Sequence, residues 1–140
     1  MDLNEAIAWA SNRKHAALIT IRSDGRPQSS DIVYSINNND FLISVTDGRA
    51  KTRNMRRDPR VVLHLSEPAS WSYLSFDGTV ELTDVTISGD DATSDALVAY
   101  FEAVNGGPHE NWAEYRRAMI DEGRLLARFT PLSVVGQARG

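Results

Sequence analysis

The residues of this chain best suited to chemistry lie in Thr46-Asp47-Gly48-Arg49-Ala50-Lys51-Thr52-Arg53-Asn54-Met55-Arg56-Arg57-Asp58-Pro59. A strand ends there and an Asp-Gly turn follows. A polar helix over Ala50 to Asp58 then begins with Arg49 and Lys51 two apart, stopped by Pro59. Cations sit badly at a helix N-terminus, whose dipole is already positive. Their placement fits an anion bound at the same point, where free backbone N–H groups, an arginine fork and a lysine point charge converge on one phosphate. Hydrogen bonds to charged groups contribute roughly 1.5–3 kcal/mol each, so two or three would anchor a phosphorylated ligand. The competing reading is a solvated polar helix whose arginines merely face water, and pattern alone weighs the two evenly.

Charge distribution sharpens the choice. From Arg49 to Arg60 there are six cations against Asp58 alone, a window of +5 in a chain of net charge −4, so the remainder sums to −9. A basic island in an acidic chain points to a local anionic ligand rather than to general polyanion affinity. Nucleic-acid binding is disfavoured, because the window holds no aromatic residue to stack on a base. Cysteine is absent, which removes disulfides, thiolate metal sites and cysteine nucleophiles and fits a reducing, cytoplasmic setting. His15, His64 and His109 lack ligand spacing, so no metal site is expected. Dinucleotide, P-loop, nucleophile-elbow and zincin motifs are missing, and no catalytic acid, base or nucleophile stands out. The longest apolar run, Ala96 to Phe101, is too short for a membrane span.

The elements that must position the basic segment are legible from periodicity. The 140 residues suit one domain. Leu3, Ala6, Ile7 and Ala10 mark an opening helix. Ala16 to Arg22, Gln28 to Ile36 and Phe41 to Thr46 read as three strands of an antiparallel meander, joined by turns at Ser23–Arg26 and Asn37–Asp40. Val61 to Ser66 is a fourth strand, and Trp71 to Phe76 with Thr79 to Thr83 reads as a hairpin around Asp77-Gly78. Asp84 to Ser94 reads as a mobile polar loop. Leu97, Tyr100, Phe101 and Val104 mark one helix, and Trp112, Tyr115 and Met119 another. Leu125 to Phe129 and Val134-Val135 read as closing strands. Many antiparallel strands with few peripheral helices indicate a mainly β protein, a barrel rather than an α/β sheet.

The order of these features resembles the pyridoxamine-5′-phosphate-oxidase-like split β-barrel flavoproteins, and more narrowly their actinobacterial deazaflavin branch, the F420-dependent oxidoreductases. The residues carrying the resemblance are Asp24-Gly25-Arg26-Pro27-Gln28-Ser29-Ser30, the segment Arg49 to Arg60, Trp71-Ser72-Tyr73 before Gly78-Thr79, Asn111-Trp112 through Arg116, and Arg124-Leu125-Leu126 with Pro131. It covers essentially the whole chain. It implies an FMN-binding-like split barrel that works as a homodimer, with cofactor sites at the subunit interface. It further implies that Arg49, Lys51 and Asn54 hold the phosphate of F420, with Ala50 also a cofactor-binding residue. Gln28, Ser29 and Ser30, with Ser44, Val45 and Thr46, would line the ring and ribityl chain. Trp71 and Ser72 would come from the second subunit, and Arg124 would reach the cofactor tail or a substrate. The expected activity is hydride transfer between F420 and a small organic substrate. FMN is the alternative cofactor, and a carrier without turnover the alternative role.

Overall fold

The computed structural model describes residues 1–139. Helix α1 spans Leu3–Ala10, capped by the Asp2 carboxylate, which accepts from the Glu5 N–H at 2.8 Å. It buries Ala6, Ile7 and Ala10 of the stripe expected from its spacing, together with Trp9, while Leu3 is half-buried. Seven strands follow: β1 His15–Ile21, β2 Pro27–Val33, β3 Ser35–Asn37, β4 Asp40–Thr46, β5 Arg60–Glu67, β6 Ser72–Leu82 and β7 Arg124–Gln137. Helix α2, Ala50–Arg57, lies between β4 and β5. Helices α3, Ala92–Asn105, and α4, Trp112–Glu122, lie between β6 and β7.

The expected meander is corrected. The strands form one antiparallel sheet in the order β2-β1-β5-β6-β7-β4-β3. The segment read as a single strand to Ile36 breaks at Tyr34, and its halves end on opposite edges of the sheet. Only one residue separates Val33 from Ser35, so the sheet must curl until its two edges meet at Tyr34. The result is a barrel closed at that point and split beyond it. Tyr34 is 1% exposed, and its hydroxyl donates to the Ala10 carbonyl at 2.7 Å, fastening α1 to the meeting point. Its ring packs 5.0 Å from Phe41, which contacts Phe76 and Phe129 in turn, an aromatic core inside the curl. The β3–β4 turn needs φ above zero at both central residues, and Asn38 and Asn39 supply it.

Two further expectations change. The presumed hairpin at Asp77-Gly78 is one continuous strand, β6, with a bulge between those residues. The two closing strands are likewise a single strand, β7. Glycine is needed at 78 because β7 presses against it: an added Cβ would lie 2.1 Å from the Thr130 carbonyl oxygen. Asp-Gly spells a turn only when the flanking runs pair with each other, and here both pair with β7.

The segment from Asp84 to Ser94 is tied down by Asp91, whose carboxylate accepts from Thr86 Oγ1 at 2.9 Å and from the N–H groups of Ile87, Ser88 and Ser94 at 2.9, 3.1 and 2.7 Å. Desolvation alone would raise the Asp91 pKa, but these donors outweigh it and hold the carboxyl at about 2, below its ordinary 3.8. A depressed carboxyl contributes stability that is present above pH 3.8 and lost as pH falls through about 2. Asp91→Asn should therefore lower the melting temperature at pH 7. The gap to the wild type should close between about pH 4 and pH 2, read by circular dichroism melts across that range. A gap independent of pH would assign the contacts no role for the charge.

Candidate functional site

The end of β4 sets the start of α2. The Thr46 carbonyl accepts from the Thr52 hydroxyl at 2.7 Å and from the Arg49 N–H at 3.3 Å, and the Asp47 N–H donates to the Gly123 carbonyl at 2.9 Å. Met55 and Thr52 are buried beneath the helix. Asn54 is buried too, and its amide spans three elements. Its Nδ2 donates to Thr20 Oγ1 at 3.1 Å and to Gln28 Oε1 at 2.9 Å, while its Oδ1 accepts from Arg57 at 2.8 Å. Asn54 therefore rivets α2 to β1 and β2, and its side chain is already engaged.

The six cations of the basic window separate into two groups. Arg53 donates to the Gly48 carbonyl, Arg56 pairs with Asp47, Arg57 binds Asn54 and the Ile21 carbonyl, and Arg60 pairs with Asp58. Arg49 and Lys51 remain, and neither forms an ion pair among the described residues. Lys51 lies near both Arg49 and Arg124 of β7, and Arg124 is braced by Glu122 at 3.0 Å and lies 3.5 Å from Ser44 Oγ. Burial, then Arg49, then Arg124 push the Lys51 ammonium below its ordinary pKa. The N–H groups of Ala50 and Lys51, in the first turn of α2, have no intrahelical acceptor. Lys51 and the two free donors thus have no acid paired with them, and Arg49 and the Glu122-braced Arg124 add positive charge nearby, an arrangement that favours an incoming phosphate.

Lys51, Ser44 and Arg124 form the cationic end of a cleft of about 430 Å³. One wall is the β2 edge at Asp31, Ile32 and Val33, and the other is made by Tyr100, Phe101, Tyr115 and Met119 of α3 and α4. The Tyr100 hydroxyl donates to the Val33 carbonyl at 2.8 Å and that of Tyr115 to the Leu97 carbonyl at 2.9 Å. Burial pushes the Tyr115 phenol up to about 12, so it stays protonated as a donor. Phe101, His109, Trp112 and Tyr115 pack with ring centroids 5.0–5.9 Å apart, which stiffens the helical wall. A second cleft, at Ser11 to Lys14, is of similar size, but its Arg13 is spent on Glu67 at 2.6 Å.

The other expected residues divide by strand period. Gln28 and Ser30 share the partly buried face of β2, whereas Ser29 lies on the exposed face with Asp31. Ser44 and Thr46 share the open face of β4, while Val45 is 1% exposed in the core and offers a ligand only its main chain. Ser72 is buried, and its hydroxyl accepts from the Arg139 N–H at 2.8 Å. Trp71 is 78% exposed with φ of 54°. It sits at the far end of β5 from α2, and an eight-residue strand spans roughly 25 Å. The structure therefore brings Lys51, Ser44 and Arg124 together, with Arg49 near Lys51, and separates Trp71 and Ser72 from them within one chain.

Sequence reading missed Tyr100, Phe101, Tyr115 and Met119. Their helical spacing is that of any core stripe, and the one distinguishing signal is two phenol hydroxyls on faces otherwise apolar.

A family model described as pyridoxamine 5′-phosphate oxidase matches residues 3–134. Among solved structures, a conserved hypothetical protein from Mycobacterium tuberculosis aligns with 97% of this chain and 84% of its own, at 21% identity and a TM-score of 0.76. An F420 reductase aligns with 87% of this chain and 89% of its own, at 22% identity and a TM-score of 0.64. HutZ, a heme storage protein from Vibrio cholerae, aligns with 96% and 94%, at 18% identity and a TM-score of 0.65. At such identities these likenesses establish the fold, a mainly β split barrel.

Proposed function

Since the chain belongs to the pyridoxamine 5′-phosphate oxidase family over residues 3–134, we propose that it is an oxidoreductase that holds coenzyme F420 in the split of its barrel. The observation carrying this reading is the sorting of the basic window: four arginines are engaged within the chain, and Arg49 and Lys51 are left without an ion-pair partner among the described residues, with Lys51 near Arg124 in the cleft. Likeness to an F420 reductase supports this cofactor. The edge of β2 and the stretch of β4 beyond Leu42, which β3 does not reach, support a flat, hydrogen-bonding ring beside the phosphate, because strand pairing leaves backbone donors and acceptors unmet there.

Arg49, Lys51 and the first N–H groups of α2 would hold the phosphate. Ser30 and Ser44, small enough to let backbone approach, would border the ring, and Arg124 would meet the tail or a substrate. The bound cofactor supplies two-electron hydride chemistry toward a small organic substrate. The chain itself contributes orientation, charge and exclusion of water by the α3–α4 wall. A second copy completes the site in this reading. Trp71, too distant to reach the cleft of its own chain, would close that of a partner, and the exposed Tyr73 and Val135 beside it would be covered in the homodimer.

Titration of the purified protein with F420 and with FMN, followed by tryptophan fluorescence, tests the reading. Tighter binding of F420 by a dimeric protein is expected. Preference for FMN would keep the fold but change the cofactor. Tight F420 binding without turnover of any electron acceptor would make the protein a carrier. Binding of neither would overturn the proposal. Heme belongs in the same titration because a heme storage protein shares the fold, although no histidine lines the cleft.

A further inference from the structure

The split in the barrel has a definite starting point, and one side chain stands at it. Strands β3 and β4 pair in a register that sets Asn37 opposite Asp40, Ile36 opposite Phe41 and Ser35 opposite Leu42. Continued by one step of two residues, the same register would set Val33 opposite Ser44. That pair does not form. Val33 instead belongs to β2, which has moved across to pair with β1, and the Tyr34 N–H donates to the Lys14 carbonyl at 2.9 Å. Hydrogen bonding alternates along a strand, so the Val33 carbonyl faces away from β1, into the split. It accepts there from the Tyr100 hydroxyl at 2.8 Å. Leu126, opposite Ser44 on β7, spends its N–H and carbonyl on Thr83, so the Ser44 N–H faces away from β7 and into the same split, where Ser44 and Tyr100 line one cleft.

We propose that Tyr100 is the positioning residue of the cleft, its hydroxyl standing in for the missing Val33–Ser44 main-chain hydrogen bond and holding the two sheet edges one phenol apart. A direct N–H to carbonyl bond would zip the edges together and shut the split at its inner end. Unbridged edges would leave a buried carbonyl and N–H unmet and would splay. The phenol satisfies both groups at a fixed spacing and anchors them to α3, and the cleft between Val33, Ser44, Lys51 and Arg124 begins at that bridge. The bridge depends only on the fold. Its consequence for ligands rests on the function proposed above: a ring-bearing ligand senses the gap between the edges, whereas a bare anion at Arg49 and Lys51 does not.

The test compares the wild type with Tyr100→Phe and Tyr100→Ala. Amide hydrogen exchange at Ser44 reads the bridge, and affinities for F420, FMN and inorganic phosphate read its consequence. Ser44 should be protected in the wild type, although no strand pairs with it on that side, and should exchange about tenfold faster in Tyr100→Phe. F420 and FMN should bind about tenfold more weakly to both variants, with inorganic phosphate within about twofold of the wild type. Unchanged F420 and FMN affinities, or an equal fall in phosphate affinity, would overturn the positioning role. If the wild type binds neither cofactor while Ser44 still accelerates in Tyr100→Phe, the cofactor reading fails and the bridge stands. If the variants do not fold, the wild type alone decides: a Ser44 amide exchanging at the rate of an unstructured chain would overturn the bridge.

Discussion

Lys51→Met should remove most of the affinity for a phosphorylated cofactor while leaving the fold intact or slightly firmer. The substitution keeps an unbranched apolar stem of similar length and deletes only the charge. A charge-assisted contact to phosphate contributes about 1.5–3 kcal/mol, so the expected loss is roughly 10- to 150-fold in affinity. Stability should move the other way. Burial and the neighbouring Arg49 and Arg124 all disfavour the Lys51 ammonium, so its charge costs the folded state something until an anion arrives. For a lysine pushed down in this way, the cost is present at neutral pH and relieved as pH rises through the depressed pKa. Calorimetric titration with F420 and a thermal melt of the apo-protein would check both arms. Unchanged affinity would sink the phosphate site. A large fall in melting temperature would show that Lys51 serves the fold instead.

Gly78→Ala should be among the most damaging single methyls added to this chain, alongside one at Gly136. Its Cβ would meet the Thr130 carbonyl oxygen at 2.1 Å and the Phe129 ring at 2.8 Å, and both belong to the strand paired with it. Neither is the loose end of a flexible side chain, so β6 and β7 must separate or the bulge must shift. Overpacking of this kind costs about 3 kcal/mol, roughly 10 °C in melting temperature for a domain of this size. Gly48→Ala is the control. An added Cβ there meets nothing within 4 Å, and its backbone is not left-handed. That variant should melt within a degree or two of the wild type. Equal melting temperatures for the two variants would mean that the β6–β7 contact at the bulge is looser than the structure has it.

The two glycines show where reading a sequence stops. Asp77-Gly78 and Asp47-Gly48 spell the same turn chemistry, and the sequence predicts a turn at each. Asp47-Gly48 is one. Asp77-Gly78 is mid-strand, because what decides its conformation is β7, some fifty residues further along the chain. The cations divide in the same way. All six of the window have the same character in sequence. Arg53, Arg56, Arg57 and Arg60 are engaged by Gly48, Asp47, Asn54 and Asp58, all close to them in sequence, whereas only the fold sets Lys51 beside Arg124.

Amino-acid order by itself determined the local matters: helices where apolar residues recur every three or four positions, strands where they alternate, turns at Asn-Asn and Asp-Gly, and a cationic start to α2. Such features need only neighbours a few residues away. Tertiary structure alone decided that the strand expected at Gln28–Ile36 divides between two sheet edges, that Val45 turns into the core, and that Tyr100 stands where Val33 and Ser44 fail to pair. These are pairings between distant segments, chosen by which sheet order buries Tyr34, Phe41, Phe76 and Phe129 together. A pattern with a period of two or four residues carries no record of that choice.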